Sequence, residues 1–238
     1  MSRPQAEPID IRESGGQGAK SDRRLFMQLL SWTGCRATRP LIDDVQGTGL
    51  DAVLYEDVND PLGVALVVAA EDPAVFSTKL REVLQRGPFA ELTPRPAHTM
   101  LGRTYALGYE PDLDETLLNR PRRHLFEDDW PWAIWYPLRR KGGFTQLPAD
   151  EQRDILMEHG KIGYSFGSAD LAHDIRLACH GLDQSDNDFV IGLMGKELAP
   201  LSKVVETMRK TKQTATWLES LGPFFVGYKA WQSGGSGQ

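Results

Sequence analysis

The apolar runs of this chain are short and bounded by turn residues, and stretches of helical spacing fall between them, so it builds strands and helices in layers. Leu25 to Trp32 is one such run, partly aromatic and stopped by Thr33-Gly34. Val53-Leu54-Tyr55 and Gly63 to Ala69 lie on either side of the turn Asn59-Asp60-Pro61 and read as a strand pair. Glu71-Asp72-Pro73 opens a helix in which Phe76, Leu80, Val83 and Leu84 recur at helical spacing, until Gly87-Pro88 stops it. Thr99 to Leu107 supplies another strand, and a further helix is expected before the pair or among its loops.

Residues 110–129 are polar, hold Pro111, Pro121 and the basic group Arg120, Arg122 and Arg123, and read as a connector with a weak helix at Leu113 to Leu118. Beyond it come a strand at Trp132 to Leu138, a helix from Pro148 to Ile162, and strands at Ile175 to Cys179 and Phe189 to Met194. A helix at Leu198 to Met208, broken near Thr211, and a strand at Pro223 to Tyr228 complete a βαββαβ unit, the ferredoxin-like order. The expected class is α+β: two ferredoxin-like units at 23–115 and 130–230, forming a dimeric α+β barrel type of chain. Residues 1–22 and 232–238 read as a disordered and a flexible tail.

Lys+Arg 27 against Asp+Glu 33 gives a formal net charge of -6, which leaves no cationic excess for a phosphate backbone or an anionic membrane. Nucleic acid is therefore not an expected partner. No segment approaches the roughly 18 apolar residues of a membrane span, so a soluble protein is expected. Cys35 and Cys179 have no C-x-x-C spacing, which fits a reducing compartment and argues against a disulfide framework or a zinc site. The expectation is cytoplasmic.

Chemistry concentrates in the second half. In Ile155-Leu156-Met157-Glu158-His159-Gly160-Lys161-Ile162, Ile155, His159 and Ile162 share one helix face, so His159 points with the apolar residues. It is either a core histidine with backbone partners or an axial haem ligand, since neutral imidazole is a usual donor to haem iron. Tyr136 in Tyr136-Pro137-Leu138 is an ordinary strand aromatic or a phenol at a site. Arg139, Arg140 and Lys141 end that strand, as a solvated terminus or an anion site. Arg209 and Thr214 flank a polar helix end, where cations also suit the dipole.

Five short motifs occur in an order similar to that of the chlorite dismutase and coproheme decarboxylase family: Tyr136-Pro137-Leu138-Arg139-Arg140, Glu158-His159-Gly160, Gly181-Leu182-Asp183, Met208-Arg209, and Gly222-Pro223-Phe224-Phe225-Val226-Gly227. The resemblance spans about residues 130–230; the first half resembles the family in layout. It implies that His159 is the proximal iron ligand, that the Tyr136 phenol lies near a substrate propionate, and that Arg209 and Thr214 hold carboxylates. Chlorite-splitting members tend to lack the tyrosine, so Tyr136 favours the decarboxylase branch. Arg140 stands where many decarboxylases have lysine; a guanidinium keeps its proton and would orient a carboxylate rather than deliver a proton. Arg122 or Arg123 is a further candidate propionate contact.

The distal position is Asp174 when counted from Gly181 and Arg176 when counted from Asp188-Phe189; with His180 they share one strand face. What the resemblance implies is a haem enzyme that uses hydrogen peroxide to decarboxylate iron coproporphyrin (coproheme), which serves as both substrate and redox centre. The alternatives are a chlorite dismutase or haem peroxidase using Arg176, a non-catalytic haem carrier or sensor, and a ferredoxin-like scaffold without ligand. Family members of this length resemble pentamers, so a homo-oligomer is implied.

Overall fold

Eight strands hydrogen-bond edge to edge into one closed antiparallel barrel in the structure, a computed structural model describing residues 9–234. They are β1 (Phe26–Thr33), β2 (Asp51–Asp57), β3 (Val64–Ala70), β4 (Met100–Arg103), β5 (Trp132–Arg140), β6 (His173–Ala178), β7 (Phe189–Gly195) and β8 (Phe225–Gln232). Around the barrel the order is β2-β3-β1-β4-β6-β7-β5-β8 and back to β2. Each half therefore has the same internal order, the ferredoxin-like arrangement, and the fold class is α+β. The seams differ: β8 pairs with β2 from Gly227↔Asp57 to Gln232↔Val53, whereas β4 meets β6 at Arg103↔Ala178 alone.

Alternation along β5 divides the protein into layers. Ala133 and Trp135 join Tyr55, Val67, Leu177 and Phe225 inside the barrel, while Ile134, Tyr136 and Leu138 join Leu193, Leu201 and Val204 outside it. Helices pack around the barrel, among them α1 (Arg39–Val45), α2 (Lys79–Leu84), α3 (Arg120–Phe126), α4 (Ala149–Ser168), α5 (Leu198–Met208) and α6 (Lys212–Trp217); α3 sends Leu125 into the interior cluster and the others lie over the outer faces. Over the first unit the layer is closed, with Leu41, Ile42, Val45, Leu80 and Phe89 packed on Leu54, Leu66 and Val68. Over the second, α5 seats Leu201 and Val204 on the sheet, and truncating Leu201 to alanine costs ~2–5 kcal/mol. The 20-residue α4 buries only Ile155 and leaves space beneath it.

Several elements differ from the sequence expectation. The unassigned helix is α1, between β1 and the strand pair. The helix after β3 is broken at Thr78 (φ -113°, ψ -95°), and β4 ends at Arg103, with Thr104 leaving the sheet to accept a bond from the Leu25 amide at 2.9 Å. The connector is helical from Glu115 to Phe126: a π-helical turn over Glu115–Asn119 runs directly into α3, and Pro121 follows that wider turn rather than ending the helix. Gly163 and Gly167 do not stop α4, which runs past Ile162 to Ser168.

The expected N-terminal tail needs correction from residue 9 onward; residues 1–8 lie outside the described region, as do 235–238 of the expected C-terminal tail. Glu13–Ser14 pairs with Lys20–Ser21, and Glu13 holds Arg103 at 2.6 Å and the Ala106 amide at 3.1 Å. These ties are polar, so an apolar pattern carries no sign of them. Among the described residues, no helix is long and apolar enough to cross a membrane.

Candidate functional site

The space beneath α4 is a cavity of about 1370 Å³, larger than the ~300–1,000 Å³ usual for small-molecule sites. Its floor is the outer face of the second unit. Ile191 on β7 is the register partner of both Tyr136 on β5 and Arg176 on β6, so the three form one row across the sheet. Leu193 likewise has Asp174 as its partner on β6, one step along the same face. The roof is α4, with His159, Gly160, Gly163 and Gly167 on the cavity side, and one end is closed by Arg209 and Thr214.

Each side chain is held for a local reason. Glu158 accepts the Lys212 amide at 2.9 Å and Glu151 pairs with Lys212 Nζ at 2.9 Å, which docks the start of α6 on α4. Thr211 is the N-cap of α6: its Oγ1 accepts the Thr214 amide at 3.4 Å and donates to the Met208 carbonyl at 2.8 Å. His159 Nδ1 lies 3.3 Å from that same oxygen. Nε2 has no hydrogen-bond partner among the described residues. Tyr136 is buried and stacked on Phe224 (centroids 4.7 Å apart, 27° between planes), and its hydroxyl is likewise without a partner among the described residues. The Arg140 guanidinium lies over Phe189 at 4.6 Å and Phe144 at 4.9 Å, and its buried Nε is unpaired.

Burial sets the electrostatics. It holds the His159 imidazole down at about 4, helped by the nearby positive charges of Arg140 and Arg176 and opposed by Asp174. It pushes the Tyr136 and Tyr105 phenols above their ordinary range. It also lowers the Arg140 guanidinium from its usual value. For Arg176 burial is the largest influence and works in the same direction, but it is outweighed by Asp174, whose carboxylate lies 3.1 Å from Nε, together with Tyr105, Tyr109 and Glu110. The lining is strongly cationic: among the described residues Arg120, Arg140, Arg153, Lys161, Arg176 and Arg209 face it, against the one carboxylate of Asp174. In a chain of net charge -6, that concentration selects for an anionic ligand.

Tyr136, Arg140, His159, Arg176, Arg209 and Thr214 thus line one cavity. Other candidates do not. Arg122 pairs with Asp51 and Arg123 with Glu115, so the basic group offers Arg120 and His124, four residues apart on α3, instead. Arg139 pairs with Asp186, Lys141 donates to the Thr216 carbonyl at 2.7 Å, and His180 sits beyond β6 with Asp188 at 3.3 Å. Gly181, with φ 71°, turns the chain out of β6 in a conformation that glycine adopts without strain. Sequence reasoning missed Tyr105, which packs against Phe189 from the first unit (centroids 5.5 Å apart, rings tilted by 48°), and Gln213, a buried wall residue whose Oε1 lacks a partner. No local pattern marks Tyr105, whereas Gln213 lies one residue before Thr214 in an amphipathic turn.

The family profile described as Chlorite dismutase matches residues 66–230, more than half of the chain. No curated protein matches it. Among solved structures it is similar to a protein named only provisionally as a chlorite dismutase (TM-score 0.68, 14% identity, covering 88% of this chain and 96% of that one). A haem-binding protein from Thermus thermophilus matches with TM-score 0.67, 17% identity and coverage of 87% and 91%. A chlorite dismutase mutant from Candidatus Nitrospira defluvii in complex with cyanide matches with 0.65, 14%, and 89% and 92%. At these identities the likeness concerns the fold.

Proposed function

The chain belongs to the chlorite dismutase family, a haem-binding family, and on that premise we propose that it decarboxylates iron coproporphyrin with hydrogen peroxide as oxidant. The observation that carries this reading is Tyr136, a buried phenol without a hydrogen-bond partner among the described residues, in the same cation-lined cavity as His159. The residues present fit an iron porphyrin. His159 offers an unpartnered Nε2, Gln213 an unpartnered Oε1, and a Cβ added at Gly160 would meet nothing within 4 Å.

In this reading His159 Nε2 ligates the iron, and Arg140, Arg209 and Thr214 bind propionates. The porphyrin iron supplies, when bound, the oxidising power that a phenol lacks. Tyr136 is the hydrogen acceptor: held by Phe224 and kept as the neutral phenol by burial, it would first give up its own O–H hydrogen to the oxidant and, as the phenoxyl radical, take one from a propionate side chain positioned by the cations, which restores the phenol. Each propionate carboxylate loses carbon dioxide, one proton and two electrons and becomes a vinyl group, while one peroxide takes up the two electrons, that proton and one more from solvent, and leaves as two waters. Arg140 keeps its proton and acts by orientation. Assembly as a homopentamer belongs to the same proposal and is read by sedimentation.

Arg176 in the cavity favours a second reading, chlorite or peroxide turnover, and Asp174 at 3.1 Å weighs against chlorite as its substrate, because a carboxylate beside the guanidinium repels that anion. Titration with coproheme followed by peroxide and mass spectrometry separates the readings. Stepwise loss of carboxyl mass is expected; a Soret band with no mass change rules out the decarboxylase. Oxygen released from chlorite would then identify the second reading, and inertness to both oxidants a carrier.

A further inference from the structure

Asp174 is out of place in a site built for carboxylates. It is the single acid among the described residues that line the cavity, and toward a propionate it is repulsive. Yet it is carefully held. Its Oδ2 meets Arg176 Nε at 3.1 Å, its backbone carbonyl is tied to His124 Nδ1 at 2.9 Å, and β6 fixes its register opposite Leu193. Oδ1 has no partner among the described residues. The Asp174 charge acts on both the His159 imidazole and the Tyr136 phenol, which puts the carboxylate within electrostatic reach of the ligating and the oxidisable group alike. A carboxylate beside a guanidinium, with one oxygen free in a cavity, has one chemical use that the surrounding cations lack: it accepts a proton.

We infer that Asp174, paired with Arg176, is the base that deprotonates hydrogen peroxide in the cavity. The step rests on the haem reading proposed above and assigns the handling of its co-substrate. One O–H bond of the peroxide breaks, its electron pair stays on oxygen, and the proton bonds to Asp174 Oδ1; no electron moves. Peroxide is a weaker acid than a carboxylic acid, so the transfer requires charges that stabilise the hydroperoxide anion as it forms. Arg176 supplies one and the bound metal another. The pair thus divides the work: the carboxylate takes the proton and the guanidinium faces the anion.

Cyanide tests this without turnover, because hydrogen cyanide must also lose a proton to bind ferric haem, whereas imidazole binds as the neutral molecule. Stopped-flow association of each ligand is compared in the haem-loaded parent, Asp174→Asn and Asp174→Glu at one pH. The expected result is a ~100-fold slower cyanide reaction in Asp174→Asn, recovery to within tenfold in Asp174→Glu, and imidazole rates within threefold throughout. Asp174→Ser, which also lacks the base, must behave as Asp174→Asn does. A cyanide rate within threefold of the parent in either base-less variant overturns the assignment while leaving the haem reading intact. A parent protein that shows no Soret band with haem overturns the haem reading itself, and this inference with it.

Discussion

His159 Nδ1 lies 3.3 Å from Thr211 Oγ1, and the proton of that hydroxyl is directed to the Met208 carbonyl at 2.8 Å. Thr211 can then only accept from the ring, which keeps the imidazole proton on Nδ1 and the lone pair on Nε2. The tautomer required of an iron ligand is therefore set by the cap of a neighbouring helix. Thr211→Val removes both the ring's acceptor and the cap of α6. It is expected to cost ~1 kcal/mol of stability and to weaken haem binding ~10–100-fold, read by thermal melting and Soret titration, with Thr211→Ser close to the parent in both.

The depressed His159 pKa has a stability consequence with a definite sign. The unfolded chain binds this proton near pH 6.5 and the folded one near 4, so between those values the unfolded state carries more protons. The contribution is complete above pH 6.5 and is lost as pH falls toward 4. Apo-protein urea denaturation at pH 7 and pH 5 is expected to show the parent losing about 1–2 kcal/mol more than His159→Gln, after allowance for water in the cavity. An equal loss in both proteins counts against the depressed imidazole.

Gly160 separates the needs of the cavity from those of the helix. A side chain there enters open space, and replacing glycine in a helix interior gains ~1 kcal/mol. Gly160→Leu is expected to melt a few degrees higher, ~2–4 °C for a chain of this size, while losing at least tenfold in haem affinity. A stable variant with the parent's Soret titration would show that the ligand does not lie against this part of α4.

Tyr136→Phe tests the phenol alone. With no hydrogen bond to lose, it is expected to change stability by less than ~1 kcal/mol and coproheme affinity by less than about threefold. Peroxide-driven mass loss should vanish. A variant that decarboxylates at the parent rate removes Tyr136 from the reaction.

Much of the site was legible before the fold because its signals are local. Ile155, His159 and Ile162 share a helix face through the 3.6-residue period, and Tyr136 and Arg140 share a strand face through the period of two. What misled was equally local. Pro121 resembles a helix stop and lies inside the helical stretch from Glu115 to Phe126, and α4 carries Gly163 and Gly167 past the expected end at Ile162. The basic group at 120–123 offered three arginines, and the direction of two of them follows from where Asp51 and Glu115 stand.

By itself, the chain of residues determined the order of strands and helices, the α+β class, and the helix and strand that carry His159 and Tyr136, since each depends on neighbours a few positions away. Tertiary structure alone decided the barrel seams at β4–β6 and β8–β2, the entry of Tyr105 from the other unit, and the Thr211 contact that orients the His159 ring. Those relations join residues dozens of positions apart. The energy that selects them comes from packing and from charges meeting in space, which no periodicity along the chain encodes.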